Sequence, residues 1–302
     1  MNRFLPIIFT IGRGLAQAVG IVVLIFVLCR VVPGDVVDVL GLEGGLTSEQ
    51  AAAMRHELGL DQSLAMQFLD WVARALHGDF GMSLRFNTPV SDMLMHALPV
   101  TAQLAGMSFL LGLGLALLLA VAATSTRSLL LDFTVNAVNI WSIAAPTFCV
   151  GFIGILIFSI WLGWLPVLGS IGMAIVIIGI DNAGQVVKPL REELKEAVNL
   201  PHVRTARAKG LAPMQVAVSH ILPATSPIVL ALSSIILANL VSGSITMEVL
   251  FGLPGIGSLT LNAIHGRDFP VIMAAITVIA VALVLINTIV DILSRIIDPR
   301  IA

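Results

Sequence analysis

Long uninterrupted runs of apolar residues are the feature that most limits what this chain can fold into. Six stretches approach or exceed the roughly 20 residues that an α-helix needs to cross the hydrocarbon core of a bilayer. They lie at residues 7–32, 98–123, 133–162, 165–187, 225–250 and 270–292. The fourth is the weakest, because several glycines and Asp181 interrupt it. The sequence therefore predicts an all-α integral membrane protein with about six transmembrane helices.

The amino-acid composition supports a membrane environment. Hydrophobic residues make up 58% of the 302 positions and charged residues only 11%, against about 25% charged residues in an ordinary soluble domain. A soluble chain of this length could not bury so much apolar surface, so we expect lipid to surround much of it. The net charge of −2 gives no reason to expect a nucleic-acid partner.

The segment between the first two apolar runs has the character of a soluble region. Within residues 33–97, the pieces 48–58 and 63–76 show the apolar spacing of helices. We therefore divide the chain into a first transmembrane helix at 1–32, a helical segment at 33–97 and a five-helix core at 98–302.

The lysines and arginines indicate which side of the membrane each segment occupies, because cytoplasmic loops carry an excess of them. Six spans would place both termini on the same side as the loop at 188–223, and that side collects most of the 16 basic residues. The segment 33–97 would lie on the opposite side, and it is acidic. We expect cytoplasmic termini and an extracytoplasmic segment 33–97.

Signatures of catalysis are missing from the sequence. It contains no G-x-x-x-x-G-K-[ST] phosphate-binding loop, no H-E-x-x-H zinc motif and no C-x-x-C pair. His56, His77 and His96 share only the outer segment, and solvated surface histidines are the default interpretation. We expect no enzymatic activity, no metal site and no cofactor on this chain.

The most informative stretch lies in the predicted cytoplasmic loop at 188–223. A short helix should begin at Pro201 and end at Gly210, since proline suits the first helical turn and glycine suits the residue after the last turn. Small and basic side chains follow one another at Arg204, Ala206, Arg207, Ala208 and Lys209. Such a helix suits docking into a groove of a cytoplasmic partner. Composition alone fits an ordinary basic cytoplasmic loop equally well.

This stretch resembles the EAA loop of permease subunits of binding-protein-dependent ABC importers. In that loop, E-A-A is followed after three residues by glycine and after nine more by I-x-L-P. Counting back from Gly210, the E-A-A positions are Arg204, Thr205 and Ala206, and the I-x-L-P positions are 220–223. Glutamate is thus replaced by Arg204 and isoleucine by His220. The resulting R-T-A-R-A-K-G-L is similar to the dipeptide, oligopeptide and nickel branch of these permeases.

Other segments along the whole chain are similar to the same branch. They are Val32-Pro33-Gly34-Asp35, Leu58-Gly59-Leu60-Asp61, Gly78-Asp79-Phe80-Gly81-Met82-Ser83, Leu98-Pro99-Val100-Thr101, Phe251-Gly252-Leu253-Pro254-Gly255-Ile256-Gly257, Arg267-Asp268-Phe269-Pro270-Val271 and Asp298-Pro299-Arg300, with Gln67 and Trp71 as single residues. Leu253 and Phe269 replace the tryptophan and tyrosine that the resemblance leads us to expect, and both keep apolar bulk.

The resemblance implies a multi-pass permease of the bacterial cytoplasmic (inner) membrane that forms half of a translocation pathway for peptides, nickel, a metal chelate or a related small solute. The implied partners are a second permease subunit, related but distinct so that the two form a heterodimer, two cytoplasmic ATPase subunits that bind ATP and magnesium, and an extracytoplasmic solute-binding protein. The implied ATPase-coupling residues are Arg204, Thr205, Ala206, Arg207, Ala208, Lys209 and Gly210. Among them, we expect Ala206 and Ala208 to lie against the ATPase.

Polar residues at helical spacing mark the fifth apolar run. Asn239, Ser242 and Thr246 advance by three and four positions and therefore share one face of a helix. In lipid such a face must meet protein or water. Asn139 in the third run poses the same choice. The lining of a pathway and the packing of helices through polar contacts fit these residues equally well.

An ion-gradient-driven secondary transporter is the main alternative function. It would need carboxylates near the middle of the membrane and usually inverted repeats. Asp181 and Glu248 lie near the ends of predicted spans, where an exposed carboxylate needs no special role. An intramembrane enzyme, the third class, would need paired catalytic residues inside the spans. The sequence favours the ATP-driven importer over both.

Overall fold

A computed structural model describes residues 4–31, 37, 47–57, 60–126 and 128–297 of the chain. In chain order, the described helices are α1 (Phe4–Val31), α2 (Ser48–Glu57), α3 (Leu64–Leu76), α4 (Val90–Thr126), α5 (Leu129–Ala144), α6 (Thr147–Gly154), α7 (Ile171–Ala197), α8 (Pro201–Ala208), α9 (Pro213–Val216), α10 (Leu222–Ala224), α11 (Ser226–Leu250), α12 (Ile256–His265) and α13 (Phe269–Ile297). The described ranges contain one isolated β-bridge and no strand. The all-α prediction is confirmed.

Four of the described helices, α1, α4, α7 and α13, are long and apolar enough to cross a membrane. Two further pairs of helical stretches are long and apolar enough only when taken together, and each pair is bent. The helical stretches Leu129–Ala144 and Thr147–Trp161 meet at 100°, and Pro213–Ala224 and Ser226–Leu240 meet at 73°. The predicted six crossings are reached when each bent pair counts as one.

Pro146 explains the sharper of the two bends. Proline has no N–H to donate to a helix and pushes the residue before it out of helical geometry. Ala145 accordingly has an extended backbone, and α6 begins anew at Thr147. Beyond α6, the chain continues as a π-helical stretch at Ile155–Trp161.

Helix α7 departs from the predicted fourth span at 165–187. It begins only at Ile171 and runs to Ala197, ten residues into the segment predicted as a loop from 188. The sequence from 188 is rich in good helix formers, and Leu190, Leu194 and Ala197 are buried at helical spacing. The hydrophobic stripe thus continues beyond the apolar run.

The described residues form two compact units. The first lies within Met1–Ile11, Thr101–Leu253 and Ile286–Ala302, and the second within Gly12–Val100 and Pro254–Leu285. In the first unit, α7 packs against α5, α6 and α11. These contacts make α7 its central helix.

Glycine allows the close approach of α5 and α7. A Cβ atom added at Gly184 would lie 2.6 Å from the Cβ of Ser142 and 2.7 Å from the carbonyl oxygen of Val138. No larger residue fits there without displacing α5. Side chains of α5 can therefore donate hydrogen bonds to α7, and a side chain at position 184 would hold the two helices too far apart for these bonds.

The second unit has an apolar core of its own. Its buried residues come from α4, α12 and α13 and are Val90, Leu94, Ala97, Ile256, Ala263, Val271, Ala274 and Ala275. Helices α2 and α3 confirm the two helical pieces predicted at 48–58 and 63–76. Ser63 caps α3, because its Oγ accepts a hydrogen bond from the N–H of Met66 at 3.4 Å. The segments 32–35 and 298–300, which carry the resemblance at the two ends, lie outside the described residues.

Candidate functional site

A group of polar side chains lies in the first unit, where α7 meets α5, α6 and α11. Asn239 of α11 donates from Nδ2 to Oε1 of Gln185 at 2.5 Å. Gln185 in turn donates from Nε2 to Oδ2 of Asp181 at 3.1 Å, one turn earlier on α7. We call these three residues, together with Ser142 and Thr147, the polar cluster. Its hydrogen bonds connect α11 to α7.

Asp181 is the acceptor on which the polar cluster converges. Ser142 Oγ donates to its Oδ1 at 3.0 Å, and Thr147 Oγ1 donates to its Oδ2 at 2.9 Å. With the amide of Gln185, the half-buried carboxylate receives three side-chain donors. Hydrogen bonds to a charged group are stronger than those between neutral groups, so they stabilise a carboxylate that would be costly in an apolar surrounding. Within the described part of the chain, no lysine or arginine forms an ion pair with it.

The local sequence explains why the donors reach Asp181. The break at Pro146 places Thr147 at the start of α6, next to α7. The lack of a side chain at Gly184 brings α5 close, so that Ser142 Oγ also donates to the carbonyl oxygen of Asp181 at 2.5 Å. The same approach lets Asn139 donate from Nδ2 to the carbonyl oxygen of Gly184 at 2.8 Å.

The structure separates the four residues predicted as candidates for lining a pathway. Asn139 is buried between α5 and α7, and Asn239 is half-buried in the polar cluster. Thr246 is exposed, about two turns further along α11. The side chain of Ser242 lies outside the described residues. The structure therefore brings Asn139 and Asn239 to α7.

The interpretation of Asp181 and Glu248 as exposed carboxylates near span ends is wrong for the position of Asp181 and for the exposure of Glu248, which does lie in the last turn of α11. Asp181 lies well inside α7, because that helix extends past the apolar run. Glu248 is fully buried, and Thr101 of α4 donates to its Oε1 at 2.7 Å. The helical spacing of Leu190, Leu194 and Ala197 indicates that the helix continues past residue 187. This spacing was the signal that could have placed Asp181 away from a span end.

The predicted coupling segment forms a short helix with two different faces. Helix α8 begins at Pro201 and packs against α9 and the π-helical stretch at Ala217–Ile221. Val203 and Ala206 are buried on that side. The other predicted coupling residues are exposed, and they are Arg204, Thr205, Arg207, Ala208, Lys209 and Gly210.

The expected position of Ala206 needs a correction. We expected Ala206 and Ala208 together on the surface, but the Ala206 side chain is only 3% exposed and faces this chain's own core. Two residues along a helix correspond to a rotation of about 200°, so the two side chains point in nearly opposite directions. Of the two alanines, only Ala208 is available to a partner.

The predicted end of α8 at Gly210 is confirmed. Gly210 has a φ of +76°, in the left-handed region that glycine adopts without strain. Its N–H donates to the carbonyl oxygen of Arg207 at 2.9 Å, and the N–H of Lys209 donates to that of Thr205 at 3.1 Å. These bonds satisfy two of the last carbonyl groups of the helix, and the chain then turns towards α9.

An ion pair links the end of α7 to the start of α5. The guanidinium of Arg191 donates to Oδ1 of Asp132, and Arg191 is almost fully buried. Only the arginine end of the pair is buried, since the Asp132 side chain is 38% exposed. Loss of Asp132 leaves the buried guanidinium with Glu192, at 3.9 Å, as its carboxylate neighbour and should destabilise this end of α7. The pair therefore holds the two helices together on the side of the membrane where α8 follows.

In the second unit, the buried carboxylate of Asp268 anchors a turn of the segment between α3 and α4. Ser83 Oγ donates to Oδ2 of Asp268 at 2.5 Å, and the N–H of Leu84 donates to Oδ1 at 3.3 Å. Asn87 closes the turn by donating from its N–H to the carbonyl oxygen of Ser83 at 3.0 Å. Two segments that carry the resemblance, one ending at Ser83 and one containing Asp268, thus meet in space.

Comparison with known protein families gives matches over nearly the whole chain. A family described as "Binding-protein-dependent transport system inner membrane component" matches residues 112–302. A second, described as "Binding-prot-dependent transport system membrane comp, N-term", matches residues 1–105. The first match contains the polar cluster and also α8, with its exposed basic face.

Individual relatives are similar over most of their length. A putative peptide permease protein of Brucella suis biovar 1 is 31% identical over 306 residues, covering 95% of this chain and 96% of the relative. A di/tripeptide transport system permease protein of Pseudomonas aeruginosa is 30% identical over 315 residues, covering 93% and 94%. A probable peptide ABC transporter permease protein of Sinorhizobium fredii is 31% identical over 293 residues, covering 92% and 93%.

Proposed function

The chain belongs to the family of inner membrane components of binding-protein-dependent transport systems, and from that premise we propose that it forms half of a translocation pathway for peptides. It is a permease subunit of an ABC importer and a multi-pass protein of the inner membrane. Its own function is not enzymatic, since separate ATPase chains hydrolyse the ATP. Family membership favours this function over an ion-gradient-driven secondary transporter.

Peptides are the proposed substrate because the relatives described above are named for peptide transport. Their identity to this chain extends over at least 92% of its length, so the whole permease is compared rather than one segment. Nickel and nickel chelates, which the resemblance also allowed, receive no support from those names.

A permease of this family works with other components of an ABC importer. The specific partners that we propose are a second, different permease, two cytoplasmic ATPases that bind ATP and magnesium, and an extracytoplasmic solute-binding protein. The proposed orientation has both termini in the cytoplasm. It is supported by the basic residues of 188–223, which follow the positive-inside rule.

The observation that carries the mechanism is the division of α8 into two faces. Its exposed face presents Arg204, Arg207 and Ala208, and we assign this face to the ATPase. Its buried face, at Val203 and Ala206, packs against the chain that leads into α11. Because packed interiors resist deformation, a displacement of α8 by the ATPase is transmitted to α11 rather than absorbed.

Helix α11 carries the displacement to the polar cluster. Asn239 is linked through Gln185 to Asp181, so a shift of α11 along α7 must stretch or exchange these hydrogen bonds. We assign the polar cluster to the wall of the pathway. A half-buried carboxylate in a membrane-crossing helix is expensive in lipid and is expected to face protein or a water-filled cavity.

Reconstitution tests the proposed function directly. The two permeases and two ATPases, reconstituted together in proteoliposomes, should take up a labelled dipeptide when the solute-binding protein is added on one side of the membrane and ATP on the other. Uptake should continue when an ionophore dissipates ion gradients. Uptake without ATP that the ionophore abolishes would instead identify a secondary transporter. ATP-dependent uptake of nickel but of no peptide would overturn the substrate assignment alone.

A further inference from the structure

Helix α3 presents one apolar face to its own unit. Phe68 and Trp71 pack against Phe26 of α1 and Met273 of α13. The rings of Phe26 and Phe68 lie edge to face, with their centroids 5.2 Å apart, a favourable arrangement for an aromatic pair. This face fixes α3 against the final turns of α1.

A second apolar face of α3 has no cover from the unit. Met66, Leu69 and Leu76 are 53%, 60% and 82% exposed. Ala73, also exposed, lies between them. Positions 66, 69, 73 and 76 advance by three, four and three residues, so they form one stripe along the helix. Asp70 and Arg74 lie on the remaining side.

The neighbouring part of α1 indicates what covers this stripe. Helix α1 is long and apolar enough to cross a membrane, and its final turns expose large apolar side chains. These are Val23, Leu24, Val27, Leu28 and Val31. Such a surface on a membrane-crossing helix faces lipid. Phe26 lies five residues before the end of α1, which corresponds to about 7.5 Å along the helix axis.

We propose that α3 is an interfacial helix that inserts Met66, Leu69 and Leu76 into the lipid at the boundary between hydrocarbon and headgroups. Its contact with Phe26 holds it at the depth where an amphipathic helix of this kind lies, about 5–10 Å into that boundary. Its exposed stripe continues the lipid-facing surface of α1. Arg30, whose guanidinium lies 5.4 Å from the ring centroid of Phe26, supplies a charge at the same level.

The lipid contact is apolar rather than electrostatic. Asp70 and Arg74 are the charged residues of α3, and their charges cancel. Attraction to anionic lipids therefore adds little, and burial of the stripe supplies the interaction. The contact itself does not depend on the proposed transport function. The proposed orientation adds only that the lipid belongs to the outer leaflet.

Spin labels on the assembled importer test the proposal. Cysteines replace Leu69 or, as the matched control, Asp70, in a chain whose Cys29 and Cys149 are serine. Each is labelled with a nitroxide in nanodiscs of phosphatidylcholine and phosphatidylglycerol. Membrane-soluble oxygen should relax the label at 69 more strongly than a water-soluble nickel chelate does. The order should be reversed at 70, and high salt should leave both orders unchanged.

Two results would overturn the proposal. Stronger relaxation of the label at 69 by the nickel chelate would place the stripe in water. Relaxation of that label by neither reagent would place it against protein, such as the second permease or the solute-binding protein. ATP-driven uptake measured on the same labelled samples separates this test from the proposed function, since uptake can fail while the label at 69 still reports lipid.

Discussion

Asn239 of α11 donates a hydrogen bond to Gln185 of α7 at 2.5 Å, and Gln185 donates a second hydrogen bond to Asp181 at 3.1 Å. Polar groups in a membrane must find partners within the protein or meet water. This contact therefore fixes the position of α11 along α7. It also connects α11, which the chain reaches from α8 through α9 and α10, to the carboxylate of the polar cluster by way of Gln185.

The proposed orientation predicts that Thr47 and Thr126 lie on opposite sides of the membrane. Both residues are exposed, so single cysteines at these positions should react with a membrane-impermeant reagent. In a chain with serine at Cys29 and Cys149, position 47 should be labelled from outside intact cells. Position 126 should be labelled only after the membrane is opened. Labelling of both from the same side would rule out the orientation.

Asn139 should contribute more to stability than its neighbour Asn136. Asn139 is buried and donates across to the carbonyl oxygen of Gly184 at 2.8 Å, whereas exposed Asn136 donates to its own helix at Asp132. Asn139→Ala leaves a buried carbonyl group without this donor and should lower the free energy of unfolding by about 1–3 kcal/mol. Asn136→Ala, the matched control, should change it by less than about 0.5 kcal/mol.

Denaturant unfolding in mild detergent, followed by circular dichroism, measures this difference. A loss of stability of the same size in both variants would show that the contact between α5 and α7 contributes nothing beyond the ordinary effect of the substitution.

Tryptophan at Ala208 and at Ala206 should have different consequences. Ala208 is exposed, so Ala208→Trp should leave the folded permease intact while weakening its association with the ATPase and reducing coupled transport. Ala206 is buried, so Ala206→Trp should overpack the chain's own core and cost about 1–3 kcal/mol of its stability. Co-purification of the ATPase, together with thermal unfolding of the permease alone, distinguishes the two effects. Normal ATPase binding by Ala208→Trp would show that this face is not the docking surface.

His56 and Asp61 form an exposed pair in the segment between α1 and α4, with His56 Nδ1 and Asp61 Oδ2 at 2.7 Å. The hydrogen bond and the negative charge of Asp61 raise the pKa of His56, and the same hydrogen bond lowers the pKa of Asp61. The contribution of His56 to stability is present below its unfolded pKa and is lost as pH rises through the raised value. That of Asp61 is present above its unfolded pKa and is lost as pH falls through the lowered value.

An NMR titration of the histidines should detect the pair. Asp61→Asn removes the negative charge, so the pKa of His56 should fall towards the ordinary histidine value. An unchanged pKa of His56 in this variant would show that the pair does not persist in solution.

Some elements follow from the sequence because their signals are local. Pro201 and Gly210 delimit α8 through their own backbone preferences, and Ser63 begins α3 as a side-chain cap. Pro146 breaks the third span for the same kind of reason. The apolar runs give the crossings, since hydrocarbon tolerates little else.

Other features depend on packing and could not be read from local signals. The uninterrupted apolar run predicts that the fourth span ends at residue 187. In the structure α7 continues to Ala197, because Leu190, Leu194 and Ala197 form a buried stripe among charged residues. The apolar run alone therefore predicts Asp181 near a span end. The direction of Ala206 depends on which side of α8 meets the rest of the chain, and composition does not specify that side.

Cysteine reactivity at position 239 tests the central claim that α8 moves the polar cluster when the ATPase binds ATP. In the assembled importer, a cysteine at Asn239 should change its rate of reaction with a small hydrophilic reagent when ATP is supplied, and Ala208→Trp should remove that change. A cysteine at the adjacent, buried Leu240 should react slowly under both conditions. Identical rates at 239 with and without ATP, in a complex that hydrolyses ATP and transports its substrate, would contradict the account.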